Sequence, residues 1–472
     1  MEIAPSFRSS PSRPLPLATA AKKSIAILGA GITGLTAAHR LHTLGHGIRV
    51  FESSTRAGGV IRSERIDDWL VESGPNSLLS GEPAADRLIR ELALDSSLVA
   101  ASPLAKNRYI VRRGQPLSVP LSPPALLSSP LLSFFAKFSL LREFLFRPRT
   151  RTSDLSLADF IRAHFNREIV DYALNPIVTG IYAGNPEKLS ARHAFPKLWD
   201  AERRHGSLLR AQLDAAKARR ARGETSPSIV SFRDGLQTLP DALAARLPAG
   251  ALTFNTQLDA IVPGEKWSVI WHDDAGTHTQ SFDTIVVALP APSLAQLRIG
   301  ALGERPLAGL TSIEHPPVAS LFLGYRRDQV AHPLDGFGLL VPAVENRSLL
   351  GVLFSSTLFP HRAPAAHVAL TVLIGGARQP ELASLPVEQL FERIRPDLAD
   401  LLGVDGSPVF QRHAFWPRAI PQYNLGHEQH LAAIANLERT HRGLFLGGQA
   451  RDGISLPACI AAGESLATRA SS

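Results

Sequence analysis

Three glycines near the amino terminus, Gly29, Gly31 and Gly34, have the types and spacing of a phosphate-binding turn. An apolar strand pattern over 24–28 precedes them, and a helical pattern starts at the third glycine. Small residues at these places permit a tight turn, let a pyrophosphate approach the backbone and let the helix lie close to the strand. The free N–H groups at a helix N-terminus attract phosphate. The pattern predicts dinucleotide binding, against the alternative of a glycine-rich turn without a ligand.

Further stretches complete a nucleotide-binding pattern. Glu52 follows an apolar strand pattern over 48–51, where a carboxylate can accept hydrogen bonds from ribose hydroxyls. A buried-strand pattern returns at 282–288, and another at 443–446 leads through a glycine-rich loop to a closing helix from about Leu456. Three widely separated segments are therefore expected to build one nucleotide domain with other domains inserted between them. Such interleaving is typical of large flavoproteins.

The composition of the 472-residue chain narrows its class. A hydrophobic content of 44% with 19% charged residues is that of a folded protein with room for two or three domains. The single cysteine, Cys459, excludes an intramolecular disulfide framework and a cysteine metal cluster, and none of the 16 histidines has a metal-ligand spacing, so no metal is expected. The net charge of +8 favours an anionic substrate or membrane surface, because no nucleic-acid-binding module accompanies it.

Two stretches bear on location in the cell. Residues 1–21 lack the apolar core of a secretory signal and predict a disordered bacterial extension, with a short transit peptide as the alternative. The strongly apolar stretch 121–146 is too often interrupted by prolines and charges to span a membrane. It is predicted to be an interfacial patch, to line a substrate tunnel, or both. The cations available for anionic head groups are Lys137, Arg142, Arg147, Arg149 and Arg151.

The residues just past Glu52 carry a family resemblance. The motif Arg56-x-Gly58-Gly59 resembles the flavoprotein oxidase and desaturase superfamily, in which paired glycines bring the backbone close to FAD. Over residues 24–468 the chain resembles the oxygen-dependent, FAD-containing protoporphyrinogen oxidase family. The segments that carry the closer resemblance are 29–34 with Glu52 and 56–59, then 72–77, 175–186, 353–360, 416–423 and 447–456. Asn76 and the segment 353–360 are closer to the plant-type members than to the animal ones.

The resemblance implies an α/β fold with three parts. They are a Rossmann-like FAD-binding domain built from discontinuous segments, an α+β substrate domain and a helical membrane-associating domain. The predicted limits are 22–85, 226–296 and 441–472 for the first, 86–106 and 297–440 for the second, and 107–215 for the third.

Carried over residue by residue, the resemblance implies non-covalent FAD. The turn 29–34 would hold the pyrophosphate, Glu52 the ribose and the backbone at Leu258 the adenine. Residues 74–77 and Trp416 would lie at the flavin ring, and the start of the last helix would stabilise negative charge on the reduced ring. The implied cofactor residues are Gly29, Ala30, Gly31, Ile32, Thr33, Gly34, Glu52, Arg56, Gly58, Gly59, Gly74, Pro75, Asn76, Ser77, Leu258, Trp416, Gly448, Gln449, Ile454, Ser455 and Leu456. Ordinary strand-to-helix packing is the alternative for any one of them.

The substrate residues follow from the same resemblance. Arg108 matches an arginine that pairs with a propionate in this family, because a guanidinium meets a carboxylate bidentately; a surface arginine is the alternative. Phe337, Leu353 and Leu373 fall where apolar side chains sandwich the tetrapyrrole, and each is otherwise an ordinary core residue. Leu373 replaces an aromatic residue of the plant-type members, which weakens any stacking argument.

The implied reaction is the six-electron oxidation of protoporphyrinogen IX to protoporphyrin IX, with dioxygen as acceptor and hydrogen peroxide as product. Because the cofactor carries the chemistry, no catalytic acid or base is assigned. The alternatives are coproporphyrinogen III oxidation by the same fold, another flavin amine oxidase or carotenoid desaturase, and a non-enzymatic lipid-binding relative. Amine oxidases need an aromatic cage, and the 5 Tyr and 5 Trp of this chain offer no clear pair for one.

The expected partners are the tetrapyrrole substrate, dioxygen and a membrane surface touched peripherally, with no nucleic acid. The family also suggests a homodimer. The expected location is bacterial and cytoplasmic, at the inner face of the cell membrane, or at an organelle membrane if residues 1–21 are a transit peptide.

Overall fold

The computed structural model describes residues 22–120, 123–146, 151–223, 227–300 and 302–472, so the predicted extension 1–21 lies outside the described residues. The strands are β1 Ser24–Leu28, β2 Gly47–Phe51, β3 Ser63–Ile66, β4 Trp69–Glu72, β5 Leu78–Leu79, β6 Leu98–Ala100, β7 Asn107–Arg112, β8 Gln115–Ser118, β9 Ile229–Phe232, β10 Leu252–Thr253, β11 Gln257–Val262, β12 Trp267–Asp273, β13 Gly276–Phe282, β14 Thr284–Val287, β15 Arg298–Ile299, β16 Val318–Arg326, β17 Gly336–Leu340, β18 Leu349–Leu353, β19 His367–Gly375, β20 Phe410–Trp416 and β21 Leu444–Leu446.

The helices include several of only one turn. They are α1 Ile32–Thr43, α2 Pro83–Glu91, α3 Pro123–Ser128, α4 Phe134–Glu143, α5 Leu157–His164, α6 Arg167–Ile169, α7 Asn175–Tyr182, α8 Ala191–Ala194, α9 Pro196–His205, α10 Leu208–Ala221, α11 Thr238–Ala245, α12 Ala291–Gln296, α13 Ser355–Leu358, α14 Pro380–Ala383, α15 Val387–Leu402, α16 His427–Thr440 and α17 Leu456–Ser471. A π-helical stretch, Val170–Leu174, joins α6 to α7. The short 3-10 segments are Asp95–Ser97, Ala308–Ser312, Arg327–Gln329, Ala343–Glu345 and Pro360–Arg362.

Strands from distant parts of the chain form one parallel five-stranded sheet, in the order β10-β2-β1-β14-β21. β1 and β14 are apolar and buried, as expected of strands covered on both faces. The predicted assembly of the 24–28, 282–288 and 443–446 strands into one sheet is confirmed. The limits of the FAD-binding domain as a whole stay a prediction.

The first and last helices of this sheet pack against each other. A Cβ atom added at Gly463 of α17 would lie 2.5 Å from the Thr33 carbonyl oxygen and 2.7 Å from the Thr36 Cβ on α1. Only glycine allows the two helices to approach so closely. Their facing residues belong to one buried apolar cluster that also includes β1 residues. The amino-terminal turn and the carboxyl-terminal helix therefore meet, as the sequence predicts.

A second sheet of seven strands, in the order β20-β16-β19-β18-β17-β7-β8, packs one face on α15. Leu339, Val352 and Val372 lie in the buried core beneath this face, together with Leu390 and Ile394 of α15. Side chains alternate between the two faces of a strand, so the neighbours of these core residues point to the opposite face. That opposite face contains several of the predicted substrate residues.

Two stretches pack against elements outside the domain predicted for each, while the domain limits themselves stay a prediction. Residues 86–106 were assigned to the substrate-binding domain, but Leu88 and Ile89 of α2 are buried in the apolar cluster of the five-stranded sheet, and β6 pairs with β9. Residues 107–118 were assigned to the helical domain, but β7 and β8 extend the seven-stranded sheet through the pairing of β7 with β17. A strand joins whichever sheet edge satisfies its backbone hydrogen bonds, and sequence order does not specify that edge.

The helical region, α3 to α10, has its own apolar core, which includes Phe160, Val178 and Leu208. α4 is held to this core by a buried carboxylate. Glu143 accepts a hydrogen bond from Ser207 Oγ at 2.6 Å and lies 3.1 Å from the buried ring nitrogen Nδ1 of His164. Among the described residues, none of the helices combines the length and the apolar character needed to span a bilayer.

We expect Gly463→Ala to destabilise the protein, because the new methyl group would meet the Thr33 carbonyl and force α1 and α17 apart. Overpacking of this kind costs about 1–3 kcal/mol. Thermal unfolding followed by circular dichroism measures the change. Gly309→Ala is the matched control, because a Cβ there meets nothing within 4 Å. An unchanged Tm for Gly463→Ala would show that the helix contact tolerates the extra methyl group.

Candidate functional site

The glycine turn between β1 and α1 has the geometry of an anion cradle. A Cβ at Gly34 would lie 1.9 Å from the Gly29 carbonyl oxygen, so only glycine permits this turn. A Cβ at Gly31 would meet nothing within 4 Å, which leaves open space beside the backbone. No side chain caps the N-terminus of α1, so its first N–H groups are left for a ligand. These features fit a bound pyrophosphate.

The Glu52 carboxylate lies directly behind this turn. Its Oε2 accepts a hydrogen bond from the Ala30 backbone N–H at 2.8 Å, and its Oε1 accepts one from Ser54 N at 2.9 Å. Oε1 also accepts a hydrogen bond from Ser54 Oγ at 2.8 Å, so it is Oε2 that can accept a second hydrogen bond, from a ribose hydroxyl. Leu258 on β11 pairs with Trp271 on β12, and its side chain is partly buried against the neighbouring apolar core.

Arg56 shapes the loop that carries Gly58 and Gly59. Its guanidinium donates hydrogen bonds to the carbonyl oxygens of Gly59 and Ile61, each at 2.7 Å. Gly58 N donates to the Ala30 carbonyl oxygen at 2.8 Å, which joins this loop to the glycine turn. The structure thus brings the Arg-x-Gly-Gly motif beside the pyrophosphate cradle. A direct contact of Arg56 with the cofactor stays a prediction.

The carboxyl-terminal loop reaches the same place. Gly448 N donates a hydrogen bond to Asp452 Oδ2 at 2.7 Å, which closes the loop on itself. A Cβ at Gly448 would lie 3.9 Å from Thr33 Oγ1, so the loop lies against the start of α1. Ser455 caps α17 by accepting a hydrogen bond from Ala458 N at 3.3 Å, and the helix begins at Leu456 as predicted. Ile454 packs against the apolar core of the helical region.

The turn at 73–77 joins β4 to β5 and is contacted by the seven-stranded sheet. Trp416, at the end of β20, donates a hydrogen bond from Nε1 to the Ser73 carbonyl oxygen at 2.8 Å. Asn76 Oδ1 is buried without a hydrogen-bond partner within the described part of the chain. A buried amide oxygen without a partner is costly, and a ligand donor at this turn would satisfy it. The predicted residues Gly74, Pro75, Asn76 and Ser77 therefore fit a polar cofactor ring.

A buried cation that the sequence analysis missed stands behind this turn. Arg362 is 1% exposed, and its Nη2 donates to the Asn76 carbonyl oxygen at 2.7 Å and to Ser231 Oγ at 3.2 Å. The same atom lies 3.3 Å from Glu72 Oε1. Burial lowers the pKa of Arg362 to about 10, partly offset by Glu72, so the side chain is charged at neutral pH. Arg362 follows the 353–360 segment by two residues, and only its three-dimensional neighbours reveal its importance.

Three of the predicted substrate residues, Arg108, Leu353 and Leu373, share one face of the seven-stranded sheet. Leu353 and Leu373 alternate with the core residues Val352 and Val372 and point to the opposite face. Arg108 on β7 alternates with Tyr109, which packs into that core. The Arg108 guanidinium lies 5.8 Å from the ring centroid of Phe337, in a cation–π arrangement. The four residues thus come from four adjacent strands, and Arg108 is exposed at the edge of an apolar surface.

One group of potential metal ligands occurs elsewhere on the surface. Ligand atoms of Asp154, His193 and Glu428 lie within 4.8 Å of one another. Asp154 already accepts hydrogen bonds from Ser190 Oγ at 2.5 Å and from Leu155 N at 2.9 Å. These local hydrogen bonds are a sufficient reason for the position of the Asp154 carboxylate, without a metal ion. The absence of a metal centre stays an expectation of the sequence.

We expect Arg362→Leu to destabilise the protein by about 3–5 kcal/mol, because it leaves the Glu72 carboxylate buried without its cation. The double variant Arg362→Leu with Glu72→Gln removes both charges and should recover part of this loss. Chemical denaturation of both variants measures the difference. Equal stability of Arg362→Leu and the unsubstituted protein would show that this pair is not a structural requirement.

Comparisons with known proteins identify the family of this chain. The family profile described as flavin containing amine oxidoreductase matches residues 32–471. Protoporphyrinogen oxidase 2, chloroplastic/mitochondrial, of Arabidopsis thaliana is 33% identical over 470 residues, which cover 93% of this chain and 92% of the relative. Coproporphyrinogen III oxidase of Bacillus subtilis (strain 168) is 25% identical and covers 94% of this chain and 97% of the relative.

A solved structure shows the same fold. A crystal structure from Exiguobacterium sp. 255-15, of a protein assigned provisionally to the protoporphyrinogen oxidases, has a TM-score of 0.81 at 22% identity. The match covers 96% of this chain and 99% of that one. The chain therefore belongs to the protoporphyrinogen oxidase family of flavin-containing amine oxidoreductases, and FAD is its cofactor.

Proposed function

We propose that the protein oxidises protoporphyrinogen IX to protoporphyrin IX in three two-electron steps, each of which reduces one dioxygen to hydrogen peroxide. The observation that carries the proposal is the exposed Arg108 at the edge of an apolar sheet face that includes Leu353 and Leu373. The names of the plant relatives support the substrate. A flat, apolar dianion suits a surface with one cation at its rim.

The width of this face supports a macrocyclic substrate. Arg108, Phe337, Leu353 and Leu373 lie on β7, β17, β18 and β19, which are neighbours in the sheet. Adjacent strands are about 4.8 Å apart, so the span from Arg108 to Leu373 is about 14 Å. A surface of this width can lie along a whole tetrapyrrole. Gly180 on α7, where a Cβ would lie 3.2 Å from Leu340 Cδ2, brings the helical region against the same face.

The residues of the chain serve to bind and orient in this reaction. FAD, when bound, supplies the hydride-accepting chemistry and transfers electrons to dioxygen. Arg108 would pair with a propionate, while Leu353 and Leu373 would contact the ring and exclude water. Trp416 reaches from the substrate sheet to the turn at Ser73, which fixes the substrate face relative to the cofactor site. No proton-transferring residue is assigned.

Coproporphyrinogen III is the second candidate substrate, favoured by the Bacillus subtilis relative. It has four carboxylates rather than two. Anaerobic mixing of the holoenzyme with each porphyrinogen, followed by loss of flavin absorbance, tests the choice. Faster bleaching by protoporphyrinogen IX supports the proposal, and faster bleaching by coproporphyrinogen III favours the second candidate. Bleaching by neither would defeat both.

We expect Arg108→Ala to raise KM for protoporphyrinogen IX by about 10- to 100-fold with a smaller change in kcat, because a charge-assisted pair is worth about 1.5–3 kcal/mol. Arg108→Lys should recover part of the loss, since it retains the charge but not the bidentate geometry. Lys106→Ala, which removes a nearby exposed cation, is the control. An unchanged KM for Arg108→Ala would show that Arg108 does not bind the substrate.

We further propose that α4 docks on the membrane surface from the cytoplasmic side. The solvent-exposed side of this helix is apolar, whereas its buried side consists of Ala136, Ser139 and Glu143. Its exposed apolar surface, here called the α4 patch, consists of Phe134 (77% exposed), Phe135 (78%), Phe138 (57%), Leu141 (63%) and Leu145 (78%). An exposed patch of this kind indicates a lipid or protein surface.

One of the cations predicted to serve the α4 patch, Arg151, is already paired with a carboxylate. Arg151 forms a bidentate pair with the Glu202 carboxylate, at 2.7 Å for each contact, so it is not free for lipid head groups. Arg142 lies on α4 itself and is exposed, whereas Arg147 and Arg149 lie outside the described residues. Peripheral association with the inner face of a bacterial membrane is our proposal. A homodimer stays a prediction of the resemblance.

We expect the triple variant Phe134→Ser, Phe135→Ser and Phe138→Ser to partition into anionic liposomes at least about tenfold less than the unsubstituted protein, because three large apolar side chains are lost from the interface. Co-sedimentation measures the partition. Leu302→Ser, at an isolated apolar side chain that is 90% exposed, is the control. Equal partition of the triple variant would exclude the α4 patch as the lipid contact.

A further inference from the structure

Tyr423 bridges two positions, Gln449 and Gly453, of the carboxyl-terminal loop 447–453. It is 4% exposed, and its hydroxyl donates a hydrogen bond to the Gln449 carbonyl oxygen. The same hydroxyl accepts a hydrogen bond from Gly453 N at 3.1 Å. One side-chain atom therefore bridges backbone groups four residues apart, on either side of the loop's tip. Cys459 Sγ, 3.6 Å from the Gly453 carbonyl oxygen, adds a weaker contact from α17.

The Tyr423 ring is itself held firmly. The ring of His427 stacks on it, with a centroid separation of 4.2 Å and an interplanar angle of 21°. Burial lowers the pKa of His427 to about 4, so the stacked imidazole is neutral at physiological pH. The Tyr423 carbonyl oxygen accepts a hydrogen bond from Ser190 N at 2.8 Å, which ties this position to the helical region. The hydroxyl is thus fixed by groups that do not belong to the loop.

The loop that it bridges contains Gly448 and Gln449, both predicted to contact FAD, and leads directly into Ile454, Ser455 and Leu456. We propose that Tyr423 is a positioning residue for the cofactor, which holds this loop in its binding conformation before FAD arrives. A loop ordered in advance loses less conformational entropy on binding, so affinity rises without a new ligand contact. The proposal rests on the proposed flavin site but is independent of the substrate.

Removal of the hydroxyl alone tests this role. In Tyr423→Phe the ring and its stacking partner remain, while the Gln449 carbonyl and Gly453 N–H lose their buried partner. We expect the loop of the apoprotein to open toward water, and FAD binding must then close it again. The expected result is an FAD Kd raised about tenfold, the scale set by unsatisfied buried polar groups. Hydrogen exchange of amides in 447–455 should also become faster in the apoprotein.

Tyr182→Phe is the matched control. Tyr182 is also 4% exposed, its ring lies 6.2 Å from that of Tyr423, and its hydroxyl donates to the Ala194 carbonyl oxygen at 3.2 Å, within the helical region. The Tyr182→Phe variant loses a hydrogen bond of a buried tyrosine hydroxyl that does not contact the loop. Its FAD Kd and its rate of amide hydrogen exchange in 447–455 should therefore match those of the unsubstituted protein.

The experiment is a titration of FAD into flavin-depleted protein, read by flavin fluorescence and by calorimetry, with hydrogen exchange on the same samples. A raised Kd and faster loop exchange in Tyr423→Phe alone support the proposal. A Kd equal to that of the unsubstituted protein overturns it, and so does an apoprotein that is unfolded by circular dichroism, since the hydroxyl would then hold the fold itself. If the unsubstituted apoprotein does not bind FAD, the flavin site fails and this proposal fails with it.

Discussion

The close contact between α1 and α17 is the constraint on which the rest of the structure depends. α1 follows the first strand of the nucleotide sheet and α17 follows the last, and they touch where Gly463 faces the Thr33 carbonyl. The pyrophosphate cradle lies at the N-terminus of α1, and the loop before α17 lies against that same helix end. Any change that separates the two helices therefore also separates two walls of the cofactor site. The contact joins residues more than four hundred positions apart, so forming it costs the entropy of closing a long loop.

Polar side chains from the seven-stranded sheet and from segments that follow its strands bond to the region around the turn at 73–77 and to the carboxyl-terminal loop. Trp416 donates to the Ser73 carbonyl, Arg362 pairs with Glu72 and holds the Asn76 carbonyl, and Tyr423 holds Gln449. All three are side chains that bond to backbone or to a charge within the cofactor region. Buried groups of this kind must find their partners, so these bonds restrict where the turn and the loop can lie.

The two exposed features of the molecule suit a substrate that is both apolar and anionic. The α4 patch consists of phenylalanine and leucine side chains on a helix whose buried face is small and polar. The substrate face has leucines with Arg108 at its edge. α7 connects the helical region to this face through the contact of Gly180 with Leu340. The helical region thus links the proposed lipid contact to the proposed substrate face.

The amino-acid sequence by itself determined the local features of this protein. The Gly29–Gly34 turn, the position of Glu52 behind it and the start of α17 at Leu456 follow from short-range geometry, in which residue type and spacing suffice. Tertiary structure decided the rest. β7 belongs to the seven-stranded sheet because its backbone groups pair with those of β17. α2 belongs to the core of the five-stranded sheet because its apolar residues pack in the same cluster as those of α17. Arg362 lies outside the resembling segments and Tyr423 only closes the segment 416–423, so the sequence assigns a role to neither. Their importance lies in the buried partners that only the folded chain brings within hydrogen-bonding distance.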